Sequence, residues 1–314
     1  MTKNLFPVLP VLALLALASC VKKTEDTPDP QPQQPAGPLV ITKADFAARY
    51  KVGGTSFTFF DVANSAVTAP VAGENQTWNF SALAEISTSV KGGSKYYAPT
   101  NTAYPSATYA AKDSAAWTVS GATSGRYEGD YFYELSDGGY YDLNHTQNQP
   151  VSIVIASLGA TINFPVQNVT YTGVTKYPVV LFPVKYGNAA INTNGIINTN
   201  NYTVNAAAFG LNNTPGQNKI TTNLKQEVIA SGTANLKSIG NVRVLVIKSS
   251  YSDKTNYFLN GAPTPAALLS QLGATDGAIT TGTTYRFVGE GLGTVGIIEV
   301  NAAGAVVYAT FRKG

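Results

Sequence analysis

The sequence is poor in the side chains that most enzymes use. It has one cysteine, one histidine and one methionine in 314 residues. A single cysteine allows no disulfide within the chain, so stability has to come from a buried core. One histidine and one cysteine leave no ligand set for a His/Cys zinc site. A Ser-His-Asp arrangement would have to use His145. No Gly-x-Ser-x-Gly elbow accompanies it, since Gly121-Ala122-Thr123-Ser124-Gly125 carries its serine one place late. His145 therefore reads as a satisfied loop histidine.

Charge is scarce too. Asp, Glu, Lys and Arg make up 12% of the chain, against roughly 25% in an average soluble domain. The net charge of +3 gives no electrostatic footprint for nucleic acid. There is no Gly-x-x-x-x-Gly-Lys phosphate loop and no Asp-x-Asp-x-Asp-Gly calcium loop. Gly289-Glu290-Gly291-Leu292-Gly293 lies between strand signals and reads as a turn or bulge, not a dinucleotide site. No cofactor is implied.

The first residues read as an export signal. Lys3 is the positive flank, Leu5 to Ala18 is an apolar run, and Pro7 and Pro10 disfavour one unbroken membrane helix. Leu17-Ala18-Ser19-Cys20 resembles the lipobox of bacterial lipoproteins. That resemblance implies cleavage between Ser19 and Cys20, lipidation of Cys20, and a membrane as partner. It also implies a diacylglyceryl thioether plus an N-acyl group, and more than one chain is what stable anchoring needs. The expected organisation is a signal peptide over 1–19, a lipidated Cys20 with a tether over 20–38, and one β-rich domain over 39–314. The tether holds Pro28, Pro30, Pro32, Pro35 and Pro38 among polar residues. Such a segment stays extended and could reach about 50 Å. Glu25-Asp26 loosely resembles the acidic export signal of Bacteroidetes surface lipoproteins; a solvated linker explains it as well.

In the body, Thr, Asn, Ser, Gly and 18 tyrosines suit pleated surfaces. Alternation marks Ser56–Phe60 and Gln76–Phe80 as strands. Tyr131–Leu135, Ser136-Asp137-Gly138-Gly139 and Tyr140–Leu143 read as a hairpin, with glycines for positive φ. Tyr177–Val184 is an edge or bulged strand because of Pro178 and Pro183. Asn241–Ser249 is the best central strand, with Val242, Val244 and Val246 on one face and Leu245 and Ile247 on the other. Three strands close the chain, the last two joined through Asn301–Gly304. Thr264–Gly273 predicts a short helix capped by Thr264, and Thr42–Tyr50 another with Thr42 and Asp45 at capping-box spacing. Asn188–Gln217 reads as a long loop or weak strands. The fold class is all-β: an antiparallel β-sandwich or open β-barrel with one or two short helices.

Three phrases carry a family resemblance. Gly73-Glu74-Asn75-Gln76-Thr77-Trp78-Asn79-Phe80-Ser81 is similar to a Gly-x-Asn-Gln-Thr-Trp-Asp-Phe-Ser phrase of secreted and surface proteins of Bacteroidetes, with Asn79 where Asp is usual. Pro183-Val184-Lys185-Tyr186-Gly187 and the pair Ala230–Ala234 with Asn241–Lys248 resemble later phrases of the same family. The resemblance covers most of 39–311. It implies an all-β fold at the outer membrane or cell surface, and no chemistry.

Aromatics are the surplus. Tyr96, Tyr97, Tyr104, Tyr109, Trp117, Tyr127, Tyr131, Tyr133, Tyr140 and Tyr141 crowd into one stretch. They are either filling for half-buried sheets or rings that stack on sugars. Trp117, Tyr131 and Tyr133 are the candidate ligand contacts. Among the carboxylates Glu128, Asp130, Glu134, Asp137 and Asp142, Asp130 and Glu134 share a strand face, and a polar outer face explains the set. Asp113-Ser114-Ala115 fits an O-glycan acceptor pattern of Bacteroidetes. The expected role is a non-enzymatic binding or structural module of the envelope, with a glycan or an envelope protein as partner. The alternatives are a half-barrel carrier of an apolar lipid ligand and a glycoside hydrolase with two facing carboxylates.

Overall fold

Period-two alternation along the body becomes strands paired edge to edge. The structure is a computed structural model, and it describes residues 37–54, 58–89, 95–117 and 125–313. In chain order the strands are β1 (Val40–Ile41), β2 (Thr58–Val62), β3 (Gly73–Asn79), β4 (Glu85–Ser89), β5 (Tyr109–Trp117), β6 (Gly125–Ser136), β7 (Gly139–Gln147), β8 (Val151–Ile155), β9 (Ala160–Phe164) and β10 (Gln167–Val169). There follow β11 (Tyr171–Gly173), β12 (Tyr177–Leu181), β13 (Val184–Lys185), β14 (Ile191–Ala206), β15 (Leu211–Leu236), β16 (Gly240–Leu259), β17 (Ala262–Pro263), β18 (Ala278–Gly289), β19 (Gly293–Asn301) and β20 (Val306–Lys313). Two short helices interrupt them, α1 (Lys43–Ala47) and α2 (Ala266–Gln271).

The large sheet runs β4-β2-β20-β19-β18-β16-β15-β14-β9-β8, with β3, β11 and β17 attached. The small sheet runs β10-β7-β6-β5, with β12 also on β7. Neither closes on itself, so the architecture is a sandwich and not a barrel. Among the described residues one pairing departs from the antiparallel rule: β3 runs parallel to β15.

The central strand explains the layering. Val242, Val244 and Val246 of β16 join Phe60, Phe287 and Phe311 in a core on one face of the large sheet. Leu245 and Ile247 point the other way, into a core shared with Tyr109, Leu135, Tyr140 and Val180 of the small sheet. Both phases of β16 are apolar because both faces are covered. Each such fully buried side chain stabilises by about 1.5–3 kcal/mol. A third core lies at the far end of the long strands, where Ile153, Ile162, Val204 and Leu259 meet Leu268 of α2.

Local chemistry accounts for the helix ends. In α1 the Thr42 N–H donates to Asp45 Oδ2 at 2.8 Å, the reach-back of a capping box. Its Phe46 is fully buried against Tyr50, Tyr140 and Phe182. α2 starts one residue later than the sequence predicts. Pro265 is the N-cap, without a side-chain bond, and Thr264 is buried instead. The reason is tertiary: the Thr264 N–H donates to Tyr257 O at 2.9 Å, which holds it to the end of β16.

The long-loop expectation for Asn188–Gln217 is overturned. β14 has 16 residues and β15 has 26, and they pair along most of β14. Rows of Thr and Asn read as weak strand in isolation. Here β15 is flanked by β14 and β16, and pairing on both sides outweighs propensity. The β6–β7 hairpin forms around Asp137-Gly138 as read, with Ser136 opposite Gly139. Neither central residue takes positive φ. The strict glycine is Gly139, where a Cβ would come 2.6 Å from Val180 O. Space beside β12, not turn geometry, selects it.

The first and third phrases of the family resemblance meet in space. β3 carries one extra residue against β15, between the pairs Ala230–Gly73 and Gly232–Gln76. Asn75 absorbs it at φ 56, a left-handed conformation that Asn tolerates. Asn79 Oδ1 accepts the Ser81 hydroxyl at 2.8 Å, a bond that Asp could make equally well. Trp78 and Phe80 then set their edges against Phe287 at 5.3 and 5.1 Å.

Candidate functional site

Between the two sheets an open crevice of about 310 Å³ remains. The small sheet supplies Asp113 from β5, Tyr133 from β6, and Tyr140 and Asp142 from β7. The large sheet supplies Phe59, Arg286, Thr294 and Ile297. Tyr50, after α1, and Tyr96 close one side. The tyrosines pack on one another: Tyr50 lies 5.1 Å from Tyr140 and 6.2 Å from Tyr96, and Tyr133 lies 5.7 Å from Tyr140. The Tyr50 hydroxyl accepts the Thr294 N–H at 3.3 Å, and Arg286 Nη1 donates to Thr294 Oγ1 at 3.3 Å.

The electrostatics favour neutral hydroxyls. Burial raises the phenol pKa of Tyr50, Tyr96, Tyr133 and Tyr140, so all four stay protonated at neutral pH. Desolvation pushes the Asp142 carboxyl up to about 6, against the bond it accepts from the Asn144 N–H. Asp142 is half-buried and lines the crevice. A wall of phenol rings and hydroxyls, the carboxyls of Asp113 and Asp142, the Lys112 ammonium and the Arg286 guanidinium can stack on and hydrogen-bond a polyhydroxylated ligand.

Of the residues expected at a site, Tyr133 lies in this crevice. Tyr131 stacks on His145 at 5.0 Å instead. The side chain of Trp117 lies outside the described residues, as do Ser19, Cys20, the Gly121–Ser124 stretch, Ser56, Phe57 and the side chains of Ser114 and Tyr127. Much of the aromatic surplus is internal, with Tyr96, Tyr104, Tyr109 and Tyr140 buried. His145 is not a loop residue. It sits within β7, buried, with Nδ1 2.8 Å from Asn144 Oδ1, and desolvation lowers its pKa to about 4.

The carboxylates are not a bare outer face either. Glu134 is buried and bound to Lys176 Nζ at 2.7 Å. Asp130 Oδ2 accepts from Asn148 Nδ2 at 3.0 Å, and exposed Asp137 pairs with Lys43 at 2.9 Å. Asp113 and Asp142 share the crevice, but two strand spacings and four residues separate them. That puts their Cα atoms about 16 Å apart and, with each carboxyl carbon about 2.5 Å from its Cα, their carboxyls no closer than about 11 Å, whereas glycosidase carboxyls stand about 5–9.5 Å apart. The glycine run forms a turn between β18 and β19, with Gly289 opposite Gly293.

Arg286, Thr294 and Tyr50 escape sequence reasoning. No local motif marks them, and only the sheet order brings β18 and β19 over β7. A second cavity of about 300 Å³ lies beneath α2, walled mainly by apolar side chains. Comparison with family models, with curated proteins and with solved structures gives no match.

Proposed function

We propose that this chain is a lipid-anchored envelope lipoprotein whose sandwich is a non-enzymatic binding module for a glycan. The observation that carries the binding half is the inter-sheet crevice, where Tyr50, Tyr96, Tyr133 and Tyr140 stand with Asp142 and Arg286. Ring faces suit the apolar face of a sugar, and protonated phenols, a carboxyl and a guanidinium suit its hydroxyls. The anchoring half rests on Leu17-Ala18-Ser19-Cys20, with the outer membrane or cell surface as its location. The separation of Asp113 from Asp142 favours binding over hydrolysis. A lipid carrier is less favoured, since the apolar cavity is at the small end of ligand pockets.

A glycan array probed with the purified lipoprotein tests the binding half. Retention of a subset of glycans, lost in Tyr133→Ala and Asp142→Ala variants that melt like the parent, is the expected result. No retention on any glycan, or retention unchanged in both variants, refutes it.

A further inference from the structure

The cavity beneath α2 has walls unlike those of the crevice. Phe164, Val204, Leu259, Leu268 and Leu272 make it apolar, and among the described residues no charged side chain lines it. Besides the tyrosines Tyr202 and Tyr257, two polar residues interrupt the apolar wall, Asn218 and Thr264. Their Oδ1 and Oγ1 atoms are shut off from solvent and have no hydrogen-bond partner. Thr264 as a whole is 7% exposed. Native proteins seldom leave such groups unpaired, and valine would fill the same space without the deficit.

The fold brings both residues to one wall. Asn218 faces Tyr257 in the β15–β16 ladder, and Thr264 is tied to Tyr257 O through its own N–H. Thr264 lines the cavity through carbon, so a turn of about 120° about χ1 exchanges methyl for hydroxyl and presents the oxygen to a guest.

We propose that this cavity binds a small, neutral, largely apolar molecule carrying a hydroxyl group, with that hydroxyl paired to the turned Thr264 Oγ1 on the wall that Asn218 shares. An apolar cavity of about 150 Å³ accepts benzene, so about 300 Å³ accommodates a substituted ring. A charged guest would be desolvated without a counter-charge. The site is separate from the crevice, so the two assignments stand or fall independently.

The test uses 4-methylphenol, toluene and 4-methylbenzoate as probes, with saturation-transfer NMR on the full chain. The phenol is expected to bind at least about tenfold more tightly than toluene, the worth of one or two buried hydrogen bonds. The benzoate is expected not to bind. Leu268→Trp fills the cavity and should abolish binding, and the milder Leu272→Phe should weaken it if the first variant fails to fold. Thr264→Val should bring the phenol down to the toluene affinity while the melting temperature holds or rises. Absence of phenol binding, equal affinity for phenol and toluene, or binding unchanged in a folded Leu268→Trp or Leu272→Phe variant overturns the proposal.

Discussion

Gly232→Ala offers a sharp test of how β3 is held. A Cβ at this position would lie 2.0 Å from the Gln76 carbonyl oxygen and 2.7 Å from both the carbon and the nitrogen of Gln76. Ordinary contact begins near 3.4 Å, so β3 would have to withdraw by about 1.4 Å. The obstruction is backbone, and no rotamer change relieves it. The ladder hydrogen bonds of the parallel pair would stretch past bonding range. β15 is the strand β3 pairs with, so Trp78 and Phe80 would leave the core with it. Overpacking costs about 1–3 kcal/mol, and removing a buried Phe or Trp costs about 3–5 kcal/mol. A net loss of about 3–5 kcal/mol is expected, because partial withdrawal keeps some ring contact. Urea unfolding followed by tryptophan fluorescence measures it, and a midpoint shift of about 1 M or more corresponds to this loss. Gly291→Ala is the control: φ is +65 but the space is open, so only the backbone penalty of about 1 kcal/mol applies. Shortening Gln76 to Ala should not rescue the Gly232 variant. A loss below about 0.5 kcal/mol, or rescue by Gln76→Ala, would refute the reasoning.

Acid titration should expose two opposed groups. His145 stays neutral in the folded chain down to about pH 4, while an unfolded histidine protonates near 6.5, so acidification between those values destabilises. Asp142 protonates at about 6 when folded but near 3.9 unfolded, so acidification between those values stabilises. Each amounts to about 3 kcal/mol at full extent, and stability should be nearly flat from pH 6 to 4. Asp142→Asn should make it fall steeply over that window, and His145→Gln should make it rise; denaturant midpoints at a series of pH values read the slopes. Cys20→Ser is expected to abolish labelling by a palmitate analogue and move the protein from the membrane to the soluble fraction. Leu245→Ala, at a fully buried site, should cost about 2–5 kcal/mol, whereas Val154→Ala, at 49% exposure, should stay within about 1 kcal/mol in the same unfolding assay.

The all-β class, the central strand and the closing hairpins were legible because each depends on residues one or two places apart. Val242 to Ile247 announced both of its burials through alternation alone. Thr42 and Asp45 announced a helix start. The length of β14 and β15 was not legible, because Thr and Asn make weak strands until neighbours flank them. The parallel seat of β3 was not legible either, although Asn75 and Gly232 carry its chemistry. The crevice was half visible. Tyr133 and Asp142 lay in the tyrosine-rich stretch, while Arg286 and Thr294 come from strands about 150 residues later in the chain and reach the site only through sheet order. His145 misled in one respect: a polar residue after an aromatic run looked like a loop, but Asn144 at φ 82 lets β7 continue past it.

The β15–β16 ladder crosses regions of unequal cover. From Val242 to Ile247 most side chains are buried, and both faces of the sheet are packed. From Lys248 to Phe258 none of the β16 residues is buried, and burial resumes at Leu259. A single run of hydrogen bonds therefore spans two protection regimes. Amides in the first stretch should exchange with solvent only through global unfolding. Those in the second should exchange through brief local opening, and therefore sooner. The far core, with the cavity beneath α2, is then carried at the end of a ribbon that breathes while its root stays shut.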